Sequence, residues 1–391
     1  MPFLPEPFFQ NRDNEFKNNS YISHLSYAEK KNILISADSK GVISFIGLSP
    51  IHLIKQMKPH NGDITVLDIT PDEKYLITAG KDKSIKIWDI DTQKLLNSLD
   101  LNESTVFDAV VMKDSKTLIT ADQCAGLTFW DIETLQKKDV LNFLDCTDYH
   151  RGVEDIKLSH DEQYIAVATK EGMSFTEDSK DLYVFELATK KLIGSTWIGD
   201  SHLFYGNIAF SSDDQAVFAA TMFNILPNGR IDWDNSVPRH LTKFDFKNNK
   251  LIPVANKPLN GNFILAQNNI FYSSGGDTNR KNVFWTLNHN EDSNIYTIPL
   301  LTCITSNIVV GLKHQFVGLD DKTIQSLNGL PTLIRLYEDG NWLTIDATGY
   351  FDASFDAREV LSVKRSQDKS MRMDEETYNK YHKPIFLEQL K

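Results

Sequence analysis

Shifted by 42 residues, the chain lies over itself. Asp72-Glu-Lys-Tyr-Leu-Ile-Thr-Ala79 falls on Asp114-Ser-Lys-Thr-Leu-Ile-Thr-Ala121. Trp88-Asp89-Ile90-Asp91-Thr92 falls on Trp130-Asp131-Ile132-Glu133-Thr134. Ten of the 21 positions from 72 to 92 are identical to their partners at +42. Leu34-Ile35-Ser36-Ala37 holds the same register one unit earlier. A fixed period of this length marks a repeat array, in which each unit buries its faces against its neighbours.

Each unit has one internal texture. An alternating apolar segment opens it (Asp63 to Ile69), and a polar turn follows (Thr70 to Lys74). Then come a small-residue apolar strand (Tyr75 to Gly80), a tight turn, a strand ending Ile-Trp-Asp, another turn and a last strand. Period-2 alternation in short runs split by turn residues means antiparallel strands. Four strands every 40-odd residues form one propeller blade. Asp161 and Asp213 mark later copies of Asp72, and the intervals widen from 42 to 47 to 52, so the extra residues sit in loops. The expected fold is all-β: a propeller of seven four-stranded blades over residues 21–345. The blades fall near 21–60, 61–101, 102–148, 149–202, 203–257, 258–303 and 304–345. Residues 1–20 form an extended segment that closes the ring. Residues 346–391 form a C-terminal extension with a short helix from Glu375 to His382, capped by Asp374 and broken by Pro384.

These strings resemble the WD40 family. His60 stands 28 residues before Trp88, with Pro59 where that family has glycine. The family's buried hydrogen-bond tetrad then falls on His60, Thr78, Asp82 and Trp88. The resemblance implies a structural staple in which Asp82 accepts from His60, His60 reaches Thr78, and Thr78 takes the Trp88 indole N–H. A buried polar chain is tolerated only when its members are satisfied. Other units depart from the pattern. Cys124 stands at the place of Asp82, Asn102 at that of His60, and Lys40 at the aspartate of the first unit. The Trp-Asp slot becomes Phe185-Glu186, Phe244-Asp245 and Trp285-Thr286.

Evidence for catalysis is absent from the motifs. No Gly-x-Ser-x-Gly elbow, Walker loop, His-Glu-x-x-His or zinc spacing occurs, so the expectation is a chain that is not an enzyme and takes no cofactor or metal. Gly275-Gly276-Asp277 lies between two strand-like runs and reads as a hairpin turn. Cys124, Cys146 and Cys303 are odd in number and widely spaced, which favours thiols in a reducing compartment. The net charge of −12 argues against nucleic acid as a partner. The start, MPFLPEPFF, has prolines and an acid where a secretion signal needs a cation and an apolar core. No apolar run reaches the roughly 18–20 residues of a membrane span. The expectation is a cytoplasmic protein, a monomer by itself, without a membrane partner.

The string Gly340-Asn-Trp-Leu-Thr-Ile-Asp-Ala-Thr-Gly-Tyr-Phe-Asp-Ala-Ser354 is similar to the one that closes WD40 arrays in certain bacterial proteins, often fused to or encoded beside caspase-like peptidases. The resemblance implies a bacterial source. It also offers one alternative role, a sensor or regulatory subunit of a caspase-like defence or stress system. Trp342, Tyr350 and Phe351 are expected to plug one edge of the array.

The insertions carry the functional expectation. Glu171 to Lys180 falls between the second and third strands of the fourth unit, and Asn224 to Arg239 at the same place in the fifth. In propellers of the resembled type, such loops open on the face that binds partners. They bring Phe175, Phe223, Arg230, Asp232, Trp233 and Arg239 together, and aromatic residues with arginine are the composition of a binding hot spot. The opposite reading is that these loops bury their own aromatics. The inner strands offer Thr65, Asp68, Thr70, Asp108, Asp155 and Lys157, which do not read as a coherent set. The function expected is a non-catalytic scaffold that binds protein partners. A propeller enzyme or ligand-binding protein with an axial-channel site is the further alternative.

Overall fold

A computed structural model of the chain describes residues 21–49, 51–101, 104–122, 126–143, 152–169, 180–197, 208–221, 224–225, 231–232, 240–253, 262–265, 270–274, 282–287, 293–298, 304–310, 315–319, 323–326, 332–336, 341–346, 351–354, 362–366, 369–372, 375, 379–380 and 382. The first sheet is β1 (Ile22–Ala28), β2 (Ile33–Asp38), β3 (Ile43–Leu48) and β4 (Ile51–Met57). The second is β5 (Ile64–Ile69), β6 (Tyr75–Gly80), β7 (Ser84–Asp89) and β8 (Leu95–Asp100). The third is β9 (Val106–Val111), β10 (Thr117–Asp122), β11 (Gly126–Asp131) and β12 (Lys137–Asn142). The fourth is β13 (Val153–Leu158), β14 (Tyr164–Thr169), β15 (Leu182–Glu186) and β16 (Leu192–Thr196). The fifth is β17 (Ile208–Phe210) and β18 (Val217–Thr221), then, beyond a hairpin of β19 (Asn224–Ile225) and β20 (Ile231–Asp232), β21 (His240–Asp245) and β22 (Lys250–Pro253). The sixth is β23 (Asn262–Leu265), β24 (Ile270–Ser274), β25 (Asn282–Leu287) and β26 (Ser293–Ile298). The seventh has six strands: β27 (Ile304–Val310), β28 (Gln315–Leu319), β29 (Thr323–Ser326), β30 (Thr332–Leu336), β31 (Trp342–Asp346) and β32 (Phe351–Ala353). A hairpin of β33 (Ser362–Ser366) and β34 (Lys369–Arg372) follows.

The chain divides into two compact units, Met1–Asp63 with Thr302–Lys391, and Ile64–Leu301. In the second unit the core lies between consecutive sheets, and strand alternation explains how one strand serves two of them. On β10, Leu118 packs with Val66 and Ile77 of the second sheet, while its neighbour Ile119 packs with Val153 and Val167 of the fourth. On β14, Ile165 and Val167 face the third sheet. Ala166 and Ala168 join Val217, Phe244 and Phe246 of the fifth. Successive side chains point to opposite faces, so a strand covered on both sides reads as a nearly unbroken apolar run, as β6 does. Small residues on one side accommodate the rings on the other. Gly194 on β16 shows the limit, since a Cβ there would stand 2.4 Å from the Phe246 carbonyl oxygen. The last strands carry exposed residues, Leu95 and Leu96 among them.

In the first unit, Leu25, Leu34 and Ile46 of the first sheet pack with Phe316, Ile324 and Ile334 of the seventh, and Trp342 joins them. The tail string departs from the expected boundary at 345. It supplies β31 and β32, so the seventh sheet runs through that position. Leu343, Thr344 and Phe351 are each 1% exposed, which is why this alternating segment behaves as strand. The expected helix to His382 stops short of it. Among the described residues helical backbone is limited to Glu375, Asn379 and Lys380, and His382 forms a parallel bridge with Phe351.

Candidate functional site

Trp88 and Thr78 of the expected staple meet directly. Trp88 on β7 and Thr78 on β6 are both buried, and the Trp88 indole Nε1 donates to Thr78 Oγ1 at 3.0 Å. The contact recurs 42 residues later, where Trp130 Nε1 donates to Thr120 Oγ1 at 2.8 Å. Asp82 accepts from Ser84 Oγ at 2.8 Å and from Ser84 N at 3.3 Å, holding the β6–β7 turn. His60 is buried and belongs to the other unit. The aspartate of each Trp-Asp pair caps the following turn. Asp89 Oδ1 accepts from Thr92 N and Thr92 Oγ1, both at 2.7 Å, and Asp131 takes the same bonds from Thr134 at 3.0 Å. This chemistry underlies the Asp-x-x-Thr spacing.

Three sets of side-chain bonds fasten neighbouring sheets in the second unit. Carboxylates on first strands accept backbone N–H groups of the next sheet's first strand. Asp68 Oδ2 takes Val111 N at 3.3 Å, Asp108 Oδ2 takes Ile156 N at 2.8 Å, and Asp155 Oδ2 takes Ile208 N at 3.1 Å. Turn residues reach the opposite way, toward the preceding sheet. Ser115 Oγ accepts Asp72 N at 3.1 Å, and Glu162 Oε1 accepts Lys113 N at 2.6 Å. Asp214 accepts His160 N at 2.8 Å and Asp161 N at 2.9 Å, and pairs with His160 Nδ1 at 2.7 Å. These turn residues stand in the left-handed region, with φ of 56°, 56° and 54°. Farther out, Asn97 Nδ2 donates to Glu133 O at 3.1 Å, Lys190 pairs with Asp139, and Asn249 Oδ1 accepts Ser195 N at 3.1 Å.

Four of the six residues the sequence offered, Asp68, Asp108, Asp155 and Lys157, form a coherent set, where the sequence suggested none. Asp108 and Asp155 stand at the same level of adjacent strands, opposite Ala121 and Ala168. Lys157 Nζ contacts Asp155 Oδ1 and lies 3.7 Å from Asp108 Oδ2. The sequence hid this because the copies carry Val66, Asp108 and Asp155 at one level and Asp68, Val110 and Lys157 at the next, so no unit repeats its neighbour's pair of residues. Desolvation raises Asp108 to about 7, opposed by the Lys157 ammonium and reinforced by the Asp155 charge. Desolvation likewise raises Asp68 to about 6, opposed by the Ile69 and Val111 N–H groups. Burial works against the Lys157 charge, yet Asp155 and Asp108 outweigh it and hold the ammonium above the usual lysine range.

The insertions occupy one slot in two sheets, between β14 and β15 and between β18 and β21. Within the fifth-sheet insertion, β19 and β20 pair Asn224 with Asp232 and Ile225 with Ile231, a hairpin where the sequence suggested a loop. Phe175, Phe223, Arg230, Trp233 and Arg239 lie outside the described residues, as do the three cysteines. One exposed aromatic escaped the sequence reading. Phe107 on β9 is 42% exposed, at a register irregularity between Val106 and Asp108 where the strand turns an extra side chain outward.

Residues 51–89 match the family profile described as WD domain, G-beta repeat, a stretch that begins on β4 and ends with β7. The chain thus carries a WD40 repeat, and its antiparallel four-stranded sheets fit that class of protein. Curated relatives match over short stretches. Peptidyl-prolyl cis-trans isomerase 9 of Schizosaccharomyces pombe is 30% identical over 77 residues, covering 19% of this chain and 13% of the relative. DDB1- and CUL4-associated factor 13 of Dictyostelium discoideum is 35% identical over 60 residues, 15% of this chain and 14% of the relative. Human WD repeat-containing protein 36 is 26% identical over 98 residues, 23% of this chain and 11% of the relative. The matched segment spans no more than 14% of any of these three relatives. WD40-repeat proteins generally mediate protein–protein interactions and are generally not enzymes.

Proposed function

We propose that the chain is a non-catalytic scaffold that binds a protein partner through the insertions of its fourth and fifth sheets. The observation that carries this reading is the placement of both insertions in one topological slot of adjacent sheets. The fifth-sheet insertion has its own paired strands, which give a contact surface defined backbone. Phe175, Phe223, Arg230, Asp232, Trp233 and Arg239 supply the aromatic and charged groups that dominate interface energetics. The first-strand carboxylates support the non-catalytic side of the reading, since each is committed to a backbone N–H of the next sheet.

The test is affinity capture from native lysate with wild type and a Phe175→Ala/Trp233→Ala double variant. Loss of at least about 2 kcal/mol of binding, with an unchanged melting temperature, is the expected outcome. Retention of every partner moves binding elsewhere, with Phe107 as the next residue to replace. Unfolding of the double variant would show that the aromatics are core. The tail string supports a narrower reading, a regulatory subunit beside a caspase-like peptidase. A peptidase gene next to this one supports it, and a metabolic operon argues against it.

A further inference from the structure

Three carboxylates and one ammonium share the first strands of the second, third and fourth sheets. Asp155 is 2% exposed, while Asp108 keeps 25% and Lys157 35% of their side chains accessible, so the group is enclosed by protein yet reachable by protons. Among the described residues, the charges that face Asp108 are Asp155 and Lys157 from β13, with Asp68 of β5 joined through Lys157. Its partner on β10 is Ala121, which brings no charge. Fully ionised, the group holds three negative charges against one positive. Like charges that close cannot all ionise in a desolvated site without cost, and such sites titrate as a unit. The same carboxylates carry the N–H bonds that join the sheets, through Ile156 and Ile208.

We propose that Asp108, Asp155 and Lys157 form a proton-operated fastening between the third and fourth sheets, tight when Asp108 holds a proton and looser when it is ionised. The proton comes from solvent and returns to it. In the tight state the Asp108 carboxyl is neutral and no longer repels Asp155 across the joint. In the loose state two carboxylates repel across the joint with one ammonium between them. The sign follows from linkage. Asp108 is raised from 3.8 to about 7, so across that window the folded chain binds more protons than the unfolded one. This contribution therefore falls as pH rises from about 4 to about 7.

The experiment is denaturant unfolding of the full chain from pH 5 to 8.5, for wild type, Asp108→Asn and Lys157→Gln. One linked proton changes the unfolding constant about tenfold per pH unit. Asp108→Asn is expected to remove up to that much of the wild-type slope below pH 7, and Lys157→Gln to steepen the slope near neutrality. An Asp108→Asn profile parallel to wild type overturns the proposal. Infrared spectra of the wild type provide the second measurement should the variants fail to fold. A protonated-carboxyl band persisting at pH 6 and lost on unfolding is expected, and its absence at that pH also overturns the proposal.

Discussion

Thr78 and Thr120 are alike in chemistry but not in surroundings. Trp88, 7% exposed, and Trp130, only partly buried, each donate to a threonine hydroxyl. Trp88→Ala removes a large buried ring and its bond to a buried hydroxyl, so we expect a loss on the order of 3–5 kcal/mol in denaturant unfolding. Trp130→Ala should cost less, since its ring is less covered. Asp214 separates backbone strain from hydrogen bonding. At φ 54° an alanine carries the left-handed penalty and accepts nothing, whereas glycine lacks only the acceptor. Asp214→Ala should therefore be less stable than Asp214→Gly by about 1 kcal/mol, with both below wild type because the His160 and Asp161 N–H groups lose their partner. Equal midpoints for the two variants would mean that the turn relaxes.

At the scale of the element, the strands of the second sheet were legible because Tyr75 to Gly80 and the Ile-Trp-Asp strand alternate cleanly and are bounded by turn residues. Hairpin β19–β20 was not, because two-residue strands carry too little alternation to register. The Asp108–Lys157 set was hidden for another reason. Its members come from two repeats, Asp108 from one and Asp155 with Lys157 from the next, and the pairing of β9 with β10 and of β13 with β14 aligns them. In the tail, the end of the expected helix differs, since His382 bridges Phe351 as extended backbone. Phe351 is covered by the His382 ring at a centroid distance of 5.3 Å, and Asp352 lies 3.6 Å from His382 Nε2. Deleting residues 374–391 uncovers that ring and should lower the thermal midpoint, and His382→Ala should reproduce part of the drop. A truncated chain that melts like the full one would leave the tail free of any packing role.

For the molecule as a whole, acid should act in opposite directions at His24 of the first unit and Asp68 of the second. In the first unit, burial holds His24 down at about 4, with the Asp63 charge partly offsetting it, so that stability is lost as pH falls from 6.5 toward 4. In the second, Asp68 rises from 3.8 to about 6, so that stability is gained as pH falls through 6. Hydrogen exchange, corrected for its intrinsic pH dependence, should show β1 less protected at pH 5 than at pH 7, and β5 and β9 more protected. The two directions of stitching in the second unit have a consequence for how such a chain is made. Each first-strand carboxylate waits for a donor that is translated later, whereas each turn acceptor closes on a donor already made. A nascent chain halted after the fourth sheet would hold the 2%-exposed Asp155 without the Ile208 N–H. One that lacked its second sheet would leave the Ser115 hydroxyl without its Asp72 donor and the Val111 N–H without its Asp68 acceptor. The array is therefore polar in time, its first-strand acceptors completed by what is made later and its turn acceptors by what is made before.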